Sequence, residues 1–147
     1  MLATPKADGP QTLHASAVAV GKRGLLITGA SGSGKSTLAL QLIGLGATLV
    51  SDDRVAVHRQ AEGGLLMVPP EPIEGLIEAR GLGLLTAPAT RAAAIAVVDL
   101  DQTETDRLPE PATLMIAGET LPLIRRVESP AFDTMLHLYL KGGRSSP

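Results

Sequence analysis

Apolar runs of strand length recur along the first part of the chain, separated by short glycine-containing segments. Residues 15–20 and 25–28 are apolar and partly β-branched, and the Gly-Lys-Arg-Gly segment at 21–24 is typical of a hairpin turn. Residues 35–45 instead carry Leu and Ala at helical spacing and stop beside two glycines. This pattern predicts two strands followed by an α-helix.

The strand pattern returns after this helix. Apolar or β-branched runs predict strands at residues 47–51, 55–58 and 65–68. Prolines between positions 69 and 72 then stop the pattern, because proline cannot donate to a strand ladder. We predict a short helical or irregular stretch over residues 73–79, ending at the Arg-Gly-Leu-Gly segment of 80–83.

The last third of the chain indicates further strands and a closing helix. Residues 92–100 form a near-continuous apolar run of strand length, whereas 101–111 are polar and broken by proline. Two shorter runs, 113–116 and 121–127, flank a predicted hairpin turn. A Ser-Pro pair at 129–130 suits the start of an amphipathic helix. Its expected apolar face consists of Phe132, Met135, Leu136 and Tyr139.

Length and composition indicate one compact domain. The chain has 147 residues, and its 44% hydrophobic content suffices for a buried core. We therefore predict a single domain over residues 1–147. Its ends, 1–10 and 142–147, are expected to be loose, because Pro, Gly and Ser there prevent a periodic apolar face.

Charge and cysteine content argue against several classes of partner. The formal net charge is -2 with both signs scattered, so the chain lacks the basic footprint that grips a nucleic acid backbone. A membrane partner is not expected, because the chain has no signal-peptide pattern and no apolar run of about 18 residues. The absence of cysteine fits a reducing compartment, so we expect a cytoplasmic protein.

Candidate chemistry begins with the segment Gly-Ala-Ser-Gly-Ser-Gly-Lys-Ser at residues 29–36. It follows a predicted strand and opens a predicted helix, which is the context of a P-loop that cradles phosphates with backbone N–H groups. Lys35 would supply a cation, and the Ser36 hydroxyl could coordinate Mg²⁺. The alternative is a glycine-rich turn with an accidental Lys-Ser pair. The residues predicted to hold the nucleotide are Gly29, Ala30, Ser31, Gly32, Ser33, Gly34, Lys35, Ser36 and Thr37.

Acidic residues must discriminate between hydrolases, kinases and switches, because all three use the same phosphate cradle. Two pairs follow predicted strands, Asp52 with Asp53 and Asp99 with Asp101. Either pair could supply the carboxylate beside Mg²⁺. Two adjacent carboxylates could also divide the work, one aiding the metal and the other taking a proton from an acceptor hydroxyl. Both pairs could instead be turn or cap residues.

Several segments, in order, resemble the catalytic domain of HPr kinase/phosphorylase, the bacterial serine kinase of the phosphotransferase system. They lie at residues 14–16, 26–36, 49–55 and 77–83. The Glu-x-Arg-Gly-Leu-Gly element within the last segment is far more discriminating than a phosphate loop. The resemblance implies an α/β fold: a P-loop kinase-like (PEP carboxykinase-like) domain with a mainly β sheet core and flanking helices. Larger members carry an N-terminal domain, so the chain resembles the short proteobacterial form.

The resemblance also implies roles for the nucleotide side of the site. Lys35 would hold the β- and γ-phosphates of ATP. Ser36 and Glu78 would bind Mg²⁺, with Asp52 as a further candidate ligand. Asp53 would accept the proton of a protein serine hydroxyl, and this role demotes Asp99.

Two further residues would lie beside the transferred phosphoryl group by the same resemblance, His14 and Arg80. The residues alone leave other interpretations open. A histidine before a strand is often an ordinary surface residue, and Glu78 with Arg80 could be a solvated pair.

The expected partner is an HPr-type phosphocarrier protein, with phosphorolysis of phospho-HPr as the reverse reaction. Assembly of the chain into a homo-oligomer is an open alternative. The family's Pro-Gly-Arg-Asn element is absent, since residues 127–132 are Val-Glu-Ser-Pro-Ala-Phe, and Arg125 or Arg126 could substitute for its arginine. The alternatives are a kinase of a small metabolite and a regulator that senses a nucleotide without catalysis.

Overall fold

The computed structural model describes residues 10–143, which form a sheet-dominated α/β fold. The strands are β1 (Gln11–Leu13), β2 (Ser16–Val20), β3 (Arg23–Thr28), β4 (Thr48–Ser51), β5 (Val55–Arg59), β6 (Leu65–Val68), β7 (Leu76–Ala79), β8 (Gly83–Thr86), β9 (Ala92–Thr103), β10 (Ala112–Ile116) and β11 (Glu119–Arg126). The helices are α1 (Lys35–Gly44) and α2 (Phe132–Gly142), with a short 3-10 helix at Glu71–Ile73. Most of the predicted loose ends, at 1–9 and 144–147, lie outside the described residues.

The main sheet is organised around β9. The strand order is β1-β5-β6-β9-β3-β2-β4, and β11 pairs with the later part of β9 and carries β10. Strands β3 and β9 are parallel, with Thr28 opposite Asp99, so their carboxyl ends meet at one edge of the sheet. The apolar run that begins β9 is typical of a strand covered on both faces.

Each face of the sheet has its own apolar core. Leu25 and Ile27 of β3 face the two helices and lie in one cluster with Leu42 and Leu136. Leu26, between them in the chain, lies in the cluster on the other face, where β5, β6 and β11 contribute side chains. This alternation follows from the two-residue period of a strand. Both faces of β3 are therefore buried, which holds the loop that follows it on a rigid support.

Most predicted elements are confirmed. The β2–β3 hairpin, helix α1, strands β4 to β6 and the β10–β11 hairpin all appear near their predicted positions. Ala117 and Gly118 form the second turn with φ of 50° and 86°. Two left-handed residues are what a tight two-residue hairpin requires.

The prediction for residues 73–79 was wrong. The 3-10 helix ends at Ile73, and Leu76–Ala79 is strand β7, paired with β8 in a separate hairpin. Ile77 and Ala79 are buried while Glu78 is exposed, so this short run has a strand's two-residue period. The run contains too few residues for its period to separate strand from helix in the sequence.

Two smaller corrections concern element ends and faces. Strand β9 runs to Thr103 rather than stopping at residue 100, because Arg126 of β11 pairs with Thr103 and extends the ladder. Met135 was placed on the buried face of the closing helix, but it is 41% exposed, and Leu140 takes part in the core instead. Neither helix in the described part of the chain is long and apolar enough to cross a membrane.

Candidate active site

The predicted P-loop connects β3 to α1. Gly34 precedes the first helical residue and has φ of 103°, a left-handed conformation that glycine adopts without a steric penalty. A Cβ on Gly29 would lie 2.5 Å from Ser33 Oγ, so the two ends of the loop approach each other closely. The loop therefore closes tightly over the amino terminus of α1, where unpaired N–H groups and the helix dipole favour an anion.

Lys35 folds back over this loop. Its Nζ donates to the carbonyl oxygens of Gly29 at 2.8 Å and Ala30 at 3.2 Å. The ammonium group thus lies at the mouth of the loop and is bound by carbonyl oxygens, which an incoming phosphate can replace. A lysine held in this way serves as a point charge for phosphate.

Asp52 is a buried carboxylate at the centre of the site, with 7% of its surface exposed. Its Oδ1 accepts hydrogen bonds from Ser16 Oγ at 2.9 Å and Ser36 Oγ at 2.6 Å, and its Oδ2 accepts one from the Glu78 N–H at 3.0 Å. These donors come from β2, α1 and β7. The carboxylate therefore joins the P-loop helix to the hairpin that carries Glu78.

Asp53 has the opposite environment. It is exposed, and its φ of 70° places it in the left-handed region. Its backbone N–H donates to Ser16 Oγ at 3.2 Å. This turn after β4 sends Asp52 into the protein while Asp53 lines the open cavity beside the P-loop. An uncommon backbone conformation of this kind is frequent at functional sites.

A cavity of about 220 Å³ brings most predicted site residues together. Its lining is Ser31, Gly32, Gly34, Lys35, Ser36, Thr37, Asp53, Glu78 and Arg80. Glu78 and Arg80 are two residues apart on the β7–β8 hairpin, and both are exposed. The strand conformation of β7 is what turns both of them toward the P-loop.

Five predicted residues do not line this cavity, and one of them is the buried Asp52 described above. Gly29, Ala30 and Ser33 lie in the loop but are absent from the lining. His14 is exposed, just before β2, and is absent too. The Oγ of Ser33 is buried, with no hydrogen-bond partner among the described residues. Gly29, Ala30 and Ser33 therefore belong to the loop but not to the cavity wall, and His14 is not part of that wall either.

The second acidic pair contacts the loop in a way that sequence reasoning missed. The Ala30 N–H donates to both carboxylate oxygens of Asp101, at 3.1 and 3.0 Å. Asp99 instead accepts from the Asp101 N–H and from Gln102 within its own strand. The parallel pairing of β3 with β9 places Asp101 beside the loop, and only that pairing could have revealed the contact.

Arg126 approaches the P-loop from the end of β11. Its Nη2 donates to the Ser33 carbonyl, and its Nε donates to the Leu100 carbonyl at 3.2 Å. Arg125, in contrast, turns away and pairs with Gln102 and Glu104. Of the two arginines considered from sequence, Arg126 is therefore the one that contacts the loop.

The oxygen atoms of the site suit Mg²⁺. Within residues 10–143 no three His, Cys, Asp or Glu side chains are grouped to hold a metal on their own. The Ser36 hydroxyl and the Asp52 carboxylate are adjacent, and Glu78 lies on the same cavity wall. Mg²⁺ commonly takes one or two protein oxygens and completes its shell with water and substrate phosphates, so this set fits it.

Comparison with known proteins identifies the family of this chain. Residues 7–94, which include the P-loop and the β7–β8 hairpin, match the family described as HPr Serine kinase C-terminal domain. The chain belongs to the HPr serine kinase C-terminal domain family. It is 52% identical over 62 residues to an HPr kinase/phosphorylase of Geobacillus sp. (strain WCH70), covering 42% of this chain and 20% of that protein.

A relative from a second genus has the same name. The identity is 49% over 74 residues to the HPr kinase/phosphorylase of Bordetella pertussis, covering 50% of this chain and 24% of that one. The chain thus matches about a quarter of the length of these relatives or less. The solved structure of the Hpr(Ser) kinase/phosphatase from Coxiella burnetii superimposes with a TM-score of 0.73 at 24% identity, covering 89% of this chain and 94% of that one. That likeness confirms the expected fold.

Proposed function

We propose that this HPr kinase-family domain is an ATP-dependent protein serine kinase that acts on an HPr-type phosphocarrier protein. The observation that carries the proposal is the single cavity in which the P-loop, Lys35 and the Asp53 side chain meet. The names of the curated relatives supply the acceptor. The proposal places the reaction in the cytoplasm, where ATP is available.

The P-loop and Lys35 would hold the triphosphate. Backbone N–H groups at the start of α1 would bind phosphate oxygens, while Lys35 would exchange its two carbonyl partners for the β- and γ-phosphates. Phosphoryl transfer depends mainly on positioning and charge stabilisation, so these contacts supply much of the catalysis.

Asp53 would act as the general base. Its exposed carboxylate lines the same cavity as Glu78 and Arg80. An acceptor serine would enter this cavity from solvent. The carboxylate would take the hydroxyl proton as the serine oxygen attacks the γ-phosphorus. In the reverse, phosphorolytic direction the same carboxyl group would return the proton to the serine oxygen. Asp52 cannot take this role because it is buried and already accepts three hydrogen bonds.

Mg²⁺, when bound, would neutralise charge on the phosphates. Ser36, Asp52 and Glu78 are the proposed protein contacts to it. Arg80, on the cavity wall, would hold the edge of the transferred group. His14 is proposed in the same region on the strength of the resemblance, and it would have to approach from outside the present cavity wall.

Replacing Asp53 with Asn tests the base. Asn tolerates the left-handed conformation, so the fold and ATP binding should be retained. The transfer of label from γ-labelled ATP to purified HPr should fall by about 10²-fold or more. Undiminished labelling of HPr would remove Asp53 from the mechanism.

The same assay separates the alternative functions. Tight ATP binding without label on HPr would favour a nucleotide-sensing regulator. Transfer to a small hydroxyl compound, with HPr unlabelled, would favour a metabolite kinase. Incubation of phospho-HPr with inorganic phosphate tests the reverse reaction.

A further inference from the structure

Two ionised side chains contact the backbone of the P-loop from outside the phosphate cavity. Asp101 accepts the Ala30 N–H with both carboxylate oxygens, at 3.1 and 3.0 Å. The Nη2 of Arg126 donates to the Ser33 carbonyl, and its Nε donates at 3.2 Å to the Leu100 carbonyl. Neither Asp101 nor Arg126 lines the phosphate cavity. Both therefore contact the loop from its outer side.

These two contacts lie at the two ends of one turn. The Ser33 N–H donates to the Ala30 carbonyl at 2.9 Å, which closes residues 30–33 into a turn. The two residues in the middle of this turn line the phosphate cavity. The carboxylate thus holds the first residue of the turn, and the guanidinium holds the last. The middle of the turn is thereby held in place against the cavity.

The contact of Arg126 sets the direction of one peptide group. Every peptide bond in the described residues is trans, so its C=O and N–H point in opposite directions. Because the Ser33 carbonyl points to Arg126, the Gly34 N–H of the same peptide points away from it. Gly34 lines the phosphate cavity, and no group within residues 10–143 accepts a hydrogen bond from its N–H. This N–H is therefore available to a phosphate oxygen.

The contact of Asp101 sets a second peptide in the opposite sense. Its carboxylate binds the Ala30 N–H, so the Gly29 carbonyl of the same peptide points to the other side. There the Lys35 Nζ donates to that carbonyl at 2.8 Å. A carboxylate on one edge of the peptide and an ammonium on the other polarise it and strengthen both bonds. The lysine is thereby held at the mouth of the loop before an anion arrives.

Each of these peptides adjoins a glycine with positive φ. The φ of Gly29 is 151°, and the φ of Gly34 is 103°. Glycine has no Cβ and adopts positive and negative φ about equally well, so a peptide next to it turns over at little steric cost. The backbone of the loop alone therefore does not fix the two directions. The contacts with the two ionised side chains do.

We propose that Asp101 and Arg126 are positioning residues of the P-loop, an inference that rests on the proposed function. Asp101 keeps a carbonyl directed at Lys35, and Arg126 keeps the Gly34 N–H directed into the cavity. The loop then offers its cation and its donor to a phosphate without reorganising first, which lowers the cost of binding. The sequence offered Arg126 as a substitute for the family's C-terminal arginine, whereas this role acts through the loop backbone.

The opposite charges of the two residues separate positioning from simple electrostatics. If only charge mattered, removing a carboxylate beside an anion site would strengthen phosphate binding, and removing a guanidinium would weaken it. Positioning predicts that both losses weaken binding. Calorimetry of inorganic tripolyphosphate with Mg²⁺, on the full chain, measures the sign and size of each change.

The substitution Asp101→Ala should weaken tripolyphosphate binding about threefold or more, and Arg126→Met about tenfold, because each removes hydrogen bonds to an ionised group. Asp101→Asn keeps an acceptor oxygen and Arg126→Lys keeps a charged donor, so these variants should retain most of the affinity. Asp106→Ala and Arg107→Met are the matched controls. They make the same charge changes on exposed residues beyond β9 and should leave the affinity unchanged.

Unchanged or tighter tripolyphosphate binding by the Asp101→Ala variant would overturn the inference. So would equal losses in the conservative and the truncated variants. Urea denaturation checks that the variants fold, and because Asp101 is exposed, its test stands even if Arg126→Met does not fold. Failure of the proposed function looks different, since the wild-type chain would then bind tripolyphosphate without labelling HPr, and the affinities would still decide the inference. A wild-type chain that binds no tripolyphosphate would overturn both.

Discussion

Two neighbouring aspartates have different environments in this site. Asp52 is buried and joins three elements, whereas Asp53 is exposed and lines the cavity. The sequence predicted that an adjacent pair could divide its work, and the structure shows which of the two carboxylates is buried and which is exposed. The left-handed turn at Asp53 is the cause, because it reverses the direction of the side chain between consecutive residues.

Removing the buried carboxylate should destabilise the protein. Asp52→Ala would leave the hydroxyls of Ser16 and Ser36 and the N–H of Glu78 without their acceptor. We expect the free energy of unfolding to fall by about 1–3 kcal/mol, the cost of buried unsatisfied donors. Urea denaturation measures this, with the exposed Asp106→Ala as control. Equal stability of the two variants would contradict the role assigned to Asp52.

At the scale of elements, the β7–β8 hairpin matters most for the site. It is a two-stranded unit beside the main sheet, and it carries Glu78 and Arg80 to the wall of the P-loop cavity. Its only described backbone ladder is the pairing of β7 with β8. The turn between them includes Gly81, whose φ is 91°. A small hairpin of this kind depends strongly on its turn residue.

Substitution of that glycine should therefore reduce activity more than binding. Gly81→Ala forces an L side chain into the left-handed region and should cost about 1 kcal/mol of stability. The rate of phosphoryl transfer to HPr should fall because Glu78 and Arg80 shift. The affinity for tripolyphosphate should stay unchanged. Gly44→Ala is the matched control, since that glycine ends α1 with open space around it and an ordinary backbone conformation. Identical kinetics for both variants would count against the hairpin's role.

A pH dependence is expected at the far side of the sheet, where Glu119 begins β11. The Gly64 N–H and the Arg59 side chain hold the pKa of this carboxyl below its usual value of 4.5. A lowered pKa in the folded state gives stability that is present above pH 4.5 and is lost as the pH falls through the lowered value. Glu119→Gln should therefore flatten the acid side of a stability profile. Glu62→Gln, on an exposed glutamate of the β5–β6 loop, should leave the profile unchanged.

At the scale of the whole molecule, α1 connects the site to the core. Its first residue is Lys35, and its buried face lies in the cluster shared by the central sheet and α2. The two helices pack against one face of the sheet. Side chains of β5, β6, β10 and β11 contribute to the apolar cluster on the other face. The position of the phosphate loop is therefore set by packing of the whole domain.

Truncation within this core should be costly. Leu42 is fully buried on α1, so Leu42→Ala should lower the free energy of unfolding by about 2–5 kcal/mol through lost transfer energy and a cavity. Leu138→Ala, on a residue 69% exposed on α2, should change it by less than about 0.5 kcal/mol. Thermal or urea unfolding measures both. A small effect at Leu42 would mean that α1 is not anchored as described.

Local chemistry made much of the protein predictable. The P-loop, helix α1 and the two main hairpins were found from spacing, turn residues and apolar period, since each depends on residues close together in the chain. The family and its fold class were also recognised from ordered segments, and residues 7–94 confirm that recognition.

Tertiary structure decided the rest. Leu76–Ala79, predicted to be helical or irregular, became a strand because β8 pairs with it, and Met135 faces outward because of how α2 lies on the sheet. The contacts of Asp101 with Ala30 and of Arg126 with Ser33 join positions 71 and 93 residues apart. Such contacts depend on the parallel neighbours of β9, and a linear sequence does not state which strands become neighbours.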